Sequence, residues 1–140
     1  MGVEQTAQRR VLVVDDDDDD IFFLSALVKA HFPAITLTSI SQSDQVMTYL
    51  QDVDKRPNLI FMDLDMPLLS GLEVLTLIRR QATLNAIPVI IWSGHLNPGD
   101  ADRCYESGAA TVIAKEVSLS AMHQTVEGIF NYWFKLVRLP

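Results

Sequence analysis

Five short apolar runs, set between stretches of helical periodicity, constrain this chain more than any other feature. They are Val11–Val14, Ile35–Ile40, Leu59–Met62, Val89–Trp92 and Thr111–Ala114. Runs of four to six residues bounded by turn signals suit buried strands. Strict alternation of strand and helix implies a parallel sheet with helices on both faces. Right-handed crossovers leave few other arrangements. The 140 residues, 49% of them apolar, suffice for one domain with one sizeable core.

The intervening segments carry helix signals of uneven strength. Ile21, Leu24, Leu27 and Val28 form one apolar face, which Pro33 ends shortly afterwards. Val46, Met47 and Leu50 form a shorter one. Leu72, Leu75 and Ile78 form a third, and its start is marked by Ser70-Gly71-Leu72-Glu73, a capping box in which hydroxyl and carboxylate satisfy orphan amides. A fourth helix is expected from Asn97-Pro98, a cap with proline at the first helical position, to Gly108 as a left-handed C-cap. The last begins near Ser118 and carries Met122, Val126, Ile129, Phe130 and Trp133.

Two of the strands end in acids. Asp63 closes Leu59–Met62, and Asp15-Asp16 follow Val11–Val14. In open α/β sheets ligands bind at the C-terminal rim of the strands. Three carboxylates meeting there form a hard oxygen site for a hexacoordinate divalent cation such as Mg²⁺. Asp17 to Asp20 are read as solvated helix-start acids, favourable against the helix dipole, with no ligand role.

Composition narrows the partners. Eleven Lys and Arg against eighteen Asp and Glu leave a net charge of −7, and no basic stripe with interleaved aromatics is present, so no nucleic acid is expected as a direct partner. A single cysteine, Cys104, excludes an intrachain disulfide and a Cys-based zinc cluster. The polar start, Met1 to Arg10, has no apolar stretch of the signal-peptide kind. No run approaches the ~20 residues needed to span a bilayer. A cytoplasmic protein away from membranes is expected.

The motifs VLVVDD, PNLIFMDLDMPLLSGLEVL, PVIIWSG and GAATVIAK, in this order, resemble the receiver domain of two-component response regulators over nearly the whole chain. The resemblance implies a flavodoxin-like (βα)5 fold with a five-stranded parallel sheet in the order 2-1-3-4-5. It implies a phosphorylation-dependent switch, not a metabolic enzyme, whose only catalysis is its own phosphoryl acceptance and slow autodephosphorylation. Asp63 would accept phosphoryl from a sensor histidine kinase or a phosphotransfer protein. Mg²⁺ (or Mn²⁺) would be held by Asp16, Asp63 and the backbone carbonyl of Asp65, with Asp15 acting through a water. Lys115 would contact the phosphoryl group and pair with the acids. Ser93 would hydrogen-bond a phosphoryl oxygen after transfer. Gly94 would leave the acceptor open, and Asp65 and His95 would tune access and dephosphorylation.

Several positions depart from the family pattern. Glu116 follows the lysine where receivers usually have proline in a cis bond, and a cis bond without proline costs about 3–4 kcal/mol. Val112 stands where receivers usually carry Tyr or Phe. Output is then expected through the Ser93–His95 loop and the fourth helix. The chain divides into a disordered tail, 1–9, and a receiver domain, 10–140. Its apolar end, Asn131 to Pro140, looks like the tail of single-domain receivers that partner bacterial phytochrome kinases. That end either packs on its own domain or forms a homodimer surface together with the last helix.

Two other readings compete. An unphosphorylated receiver-like docking module is kept open by Glu116 and Val112. Asp63-Leu64-Asp65 has the Asp-x-Asp form of haloacid-dehalogenase-type aspartyl phosphatases, but Met66-Pro67 follow it, Asp15-Asp16 precede it, and no cap-sized insertion exists.

Overall fold

The computed structural model describes residues 9–136. The expected N-terminal tail therefore lies outside the described residues except Arg9, which already pairs with Ile35 and so opens the first strand. Residues 137–140 of the apolar end also lie outside them.

In chain order the elements are β1 (Arg9–Val14), α1 (Asp18–His31), β2 (Ile35–Ile40), α2 (Val46–Leu50), β3 (Leu59–Asp63), α3 (Gly71–Arg80), β4 (Val89–Ser93), α4 (Asp100–Glu106), β5 (Thr111–Ala114) and α5 (Leu119–Asn131). All strand pairs are parallel, and the sheet order is β2-β1-β3-β4-β5. The chain reverses direction across the sheet between β1 and β3, and their carboxyl ends open at that switch point.

Side chains alternate between the faces of a strand, and this sorts the apolar residues into two cores. Leu12, Val14, Ile60, Met62, Val89 and Ile91 pack with Val46, Leu50, Val74, Leu75 and Ile78 of α2 and α3, and with Cys104 of α4. Their neighbours Val11, Val13, Leu59, Phe61, Ile90 and Trp92 face the other way, onto Leu24, Leu27 and Val28 of α1 and Met122, Val126 and Phe130 of α5. Phe61 meets Trp92 and Phe130 edge-on at centroid distances of 5.9 and 5.4 Å. Such offset aromatic pairs add to the stabilisation from burial alone.

The capping box at Ser70 and Glu73 is complete, with both side chains bonded to the opposite backbone amide. Asp17 caps α1 by accepting from the Asp19 amide. The fourth helix departs from expectation. Asn97 does not cap it; the Asp100 carboxylate accepts the Asn97 amide at 2.7 Å, and the Asp100 amide bonds back to the Asn97 carbonyl. With Pro98 and Gly99 between them these residues form a turn, and α4 starts at Asp100 from Gly99. Gly108 takes the expected left-handed conformation, at φ 105°.

Beyond α5 the chain continues as a π-helical turn, Tyr132–Leu136. Trp133 and Phe134 pack against the α1/α5 core, and Lys135 lies 5.6 Å from the centre of the Phe32 ring. This much of the apolar end docks on its own domain. None of the helices in the described residues is long and apolar enough to cross a membrane.

Candidate functional site

The strand ends bring four of the expected residues to one place. Asp15, immediately after β1, is fully buried, and Asp63, ending β3, is 6% exposed. Lys115, just past β5, spans the gap between them. Its Nζ lies 3.0 Å from Asp15 Oδ2 and 3.5 Å from Asp63 Oδ2. The Lys115 amide donates to the Ser93 carbonyl, so sheet pairing aims this side chain across the rim. Carboxylate oxygens of Asp15, Asp16 and Asp63 all lie within 4.8 Å of one another.

One acid in the cluster was not expected there. Asp20 Oδ2 lies 2.6 Å from Lys115 Nζ, nearer than either strand-end acid. It stands in the first turn of α1, three residues after the cap Asp17, and so shares with Asp17 the face that looks over the rim. Periodicity within the acidic block carried that signal. Its lysine partner, 95 residues on in the chain, did not show in local sequence.

Four carboxylates (Asp15, Asp16, Asp20, Asp63) against one ammonium leave −4 + 1 = −3 when all are ionised. Protonation responds to this crowding and to burial. Loss of solvent pushes Asp15 up to about 6, against the Asp17 amide and Lys115, which favour the charged form. Burial also raises Asp63, opposed by Lys115 and the amides of Asp65 and Leu64. Lys115 is raised as well, for a different reason: burial alone would lower it, but Asp20, Asp15 and Asp63 together hold it above its ordinary range. Lys115 is thus a fixed positive charge in a site with surplus negative charge.

Above the acids lies an open cleft of ≈ 370 Å³ lined by Asp17, Asp20, Asp63, Asp65, Ser93, Gly94, His95 and Lys115. Every expected tuning residue faces it. The Ser93 hydroxyl donates to the His95 carbonyl at 3.0 Å and lies 3.2 Å from the His95 amide, which donates to it. A Cβ placed at Gly94 would meet no atom within 4 Å. The peptide bond between Lys115 and Glu116 is trans.

Two further residues hold the loop that follows Asp63. Gly71 donates its amide to the Leu64 carbonyl at 2.8 Å, and a Cβ there would fall 2.2 Å from the Asp63 carbonyl oxygen. Only glycine permits α3 to start so close to Asp63. Ser43, 1% exposed, donates to the Pro67 carbonyl and accepts the Leu69 amide. It thereby clamps both sides of Leu68, whose φ of 74° is a left-handed conformation uncommon for leucine.

A doubly wound sheet with acids at its switch point and a lysine reaching over from the last strand defines a class of α/β domain with an acidic site at its carboxyl rim. The comparisons place the chain within that class. The family model "Response regulator receiver domain" matches residues 11–127, and the chain belongs to this family. Among curated proteins it is 35% identical over 85 residues to response regulator Rcp1 of Synechocystis sp. (strain ATCC 27184 / PCC 6803 / Kazusa), covering 61% of this chain and 58% of that protein. It matches the probable methanogenesis regulatory protein FilR2 of Methanothrix harundinacea (strain 6Ac) at 33% identity, over 60% of this chain and 54% of that protein. These matches span a little over half the length of either relative.

Among solved structures, the phosphorylated cyanobacterial phytochrome response regulator RcpA superposes with a TM-score of 0.89 at 29% identity, covering 96% of this chain and 99% of that one. The Mn²⁺-bound form of Rcp1 superposes with a TM-score of 0.88 at 28% identity, over 94% and 99%. Strand order and helix placement agree with the receiver fold expected from the motifs.

Proposed function

We propose that this protein is a phosphorylation-dependent signalling switch that accepts a phosphoryl group on Asp63 from the phosphohistidine of a sensor histidine kinase or a phosphotransfer protein. The observation that carries this reading is the joint contact of Lys115 with Asp15, Asp20 and Asp63 beneath an open cleft. A carboxylate is a weak nucleophile, so the protein contributes alignment and charge neutralisation. The Asp63 oxygen attacks phosphorus as the phosphorus–nitrogen bond of the donor breaks, the imidazole leaves with that electron pair, and an acyl phosphate forms. Lys115, 3.5 Å from Asp63 Oδ2, faces the charge spread over the equatorial oxygens. Ser93 then turns its hydroxyl from the His95 carbonyl to a phosphoryl oxygen and draws the loop inward.

The acids fit an oxygen-seeking divalent ion. Neighbouring oxygens of an octahedral Mg²⁺ shell are ~2.9 Å apart, and those of Asp15, Asp16 and Asp63 start within 4.8 Å. Asp16 and Asp63 would bind directly with the Asp65 carbonyl, and Asp15 through a water. An ion held there, Mg²⁺ or Mn²⁺, would supply neutralisation of the phosphoryl charge. The Mn²⁺-bound form of Rcp1 supports the same ion class here.

The outward route runs through the Ser93–His95 loop to α4. There the Tyr105 hydroxyl accepts the Val112 amide at 3.0 Å, tying α4 to β5 where the family's usual aromatic is missing. Phosphoryl capture at Ser93 displaces this tie, and α4 moves. A homodimer through α5 and the apolar end belongs to the same reading. Half-exposed Tyr132 is the residue whose replacement by Glu should dissociate it in sedimentation.

Incubation with acetyl phosphate and Mg²⁺, followed by intact mass, tests the reading. A single phosphoryl adduct is expected on the native chain and none on Asp63→Asn. An unmodified native chain would leave the docking-module reading in its place. Membership of the receiver family leaves the phosphatase reading without support.

A further inference from the structure

We propose that His31, His123 and Glu127 form a second metal site, separate from the acidic cleft and suited to a late first-row divalent cation such as Zn²⁺. His31 ends α1, and His123 and Glu127 stand one turn apart on α5, a spacing that puts both on one helix face. The Nδ1 of His31 lies 3.8 Å from Glu127 Oε2. The two imidazole rings are 5.0 Å apart, tilted by 45°. One donor atom from each residue lies within 4.8 Å of the other two.

The geometry is close to what the ion requires. Ligands at about 2.0 Å from a tetrahedral Zn²⁺ are roughly 3.3 Å from each other, so the facing atoms of His31 and Glu127, 3.8 Å apart, are already near that spacing. The side chains of His31 and Glu127 are 45% and 36% exposed, which leaves them room to turn the remaining distance. Their backbones have no such freedom. Val28 and Phe32 of the α1 end pack with Val126 and Phe130 of α5 in one core, and the Phe32 and Phe130 rings meet edge-on at 5.3 Å. The helices hold the three donors as a pre-formed face.

The donor set separates this site from the cleft. Two imidazoles and one carboxylate favour zinc, nickel or copper, whereas an all-oxygen set favours magnesium and manganese. Three protein ligands also leave a fourth position for water. The site lies roughly 20 Å along α1 from the acidic start of that helix, thirteen residues away. A bound ion would cross-link α1 to α5, adding a staple to the face that carries the apolar end.

Zn²⁺ titration of the full chain in excess Mg²⁺, followed by calorimetry and by imidazole NMR, tests the site. The expected result is one Zn²⁺ bound per chain, shifts at His31 and His123 but not His95, and retention of both in Asp63→Asn. His31→Gln and His123→Gln should each weaken Zn²⁺ by about tenfold or more. Thermal melts without metal, matching the native chain, would show that both variants are folded. Binding that survives both histidine variants, or that disappears in Asp63→Asn, would overturn the proposal by assigning the ion to the acidic cleft.

Discussion

The ammonium of Lys115 sits 4.9 Å from the centre of the Trp92 ring while facing Asp63. Trp92 is buried, and its indole nitrogen finds no hydrogen-bond acceptor among the described residues. A cation over an indole face is attracted by the ring quadrupole, so Trp92 forms the apolar floor on which the lysine rests.

This contact makes Trp92 a reporter of the acceptor. With Trp133 replaced by Phe, Trp92 is the one tryptophan left, and excitation at the red edge of the indole band selects it over the tyrosines. Addition of beryllofluoride with Mg²⁺ should draw Lys115 toward the mimic and change the Trp92 emission. The same additions to Asp63→Asn should leave it constant. An equal response in both proteins would show that Lys115 does not track the acceptor.

Burial of Asp15 predicts an unusual dependence of stability on pH in the absence of divalent ions. Its carboxyl is pushed from 3.8 to about 6, so the folded chain binds the proton more tightly than the unfolded one. The associated stability is complete below about pH 4 and is lost as pH rises through about 6. Asp15 alone accounts for about 3 kcal/mol, and Asp63, raised in the same direction, adds to the slope. Urea unfolding at pH 4.5 and 7 should show the decline. Asp15→Asn should flatten it, and Mg²⁺ should restore stability at pH 7 by mass action. A curve for Asp15→Asn that follows the native one would refute the assignment.

Gly71 and Gly94 should respond oppositely to the same substitution. Gly71→Ala forces a methyl group to within 2.2 Å of the Asp63 carbonyl oxygen, costing about 1–3 kcal/mol of overpacking and displacing Asp63. Gly94→Ala meets nothing within 4 Å and should keep native stability. Denaturant midpoints and Mg²⁺ titrations of the two variants check this. Native Mg²⁺ affinity in Gly71→Ala would mean that the α3 start does not position Asp63.

Ser43→Ala removes the clamp on the Pro67–Leu69 loop. The Pro67 carbonyl and Leu69 amide lose their partner, at a cost of about 1–3 kcal/mol for groups left unsatisfied in a buried place. Amide exchange at Leu69 should accelerate while exchange in β1 and β3 scales only with the global loss. Unaltered protection at Leu69 would show that another group holds the loop.

The strands were legible because a buried parallel strand must be apolar on both faces, and Val11–Val14 and Leu59–Met62 have no other use. The cluster at the rim was legible for a related reason: Asp63, Asp15 and Lys115 each break an apolar run at its C-terminal end. The start of α4 was misread because Asn97-Pro98 suits both a helix cap and a turn. The Asp100 side chain settled it by taking the Asn97 amide. Asp20 and Ser43 were missed because their partners, Lys115 and the Pro67–Leu69 loop, are distant in the chain.

The sequence by itself determined the alternation of strands and helices, the two apolar faces of the sheet and the acids at its carboxyl rim, because each is written in local periodicity. Only the tertiary structure decided that Asp20 is the nearest carboxylate to Lys115, that Gly71 abuts Asp63, and that His31 meets His123 and Glu127. Those pairings depend on how helices pack across a sheet, and packing joins residues that no local pattern connects.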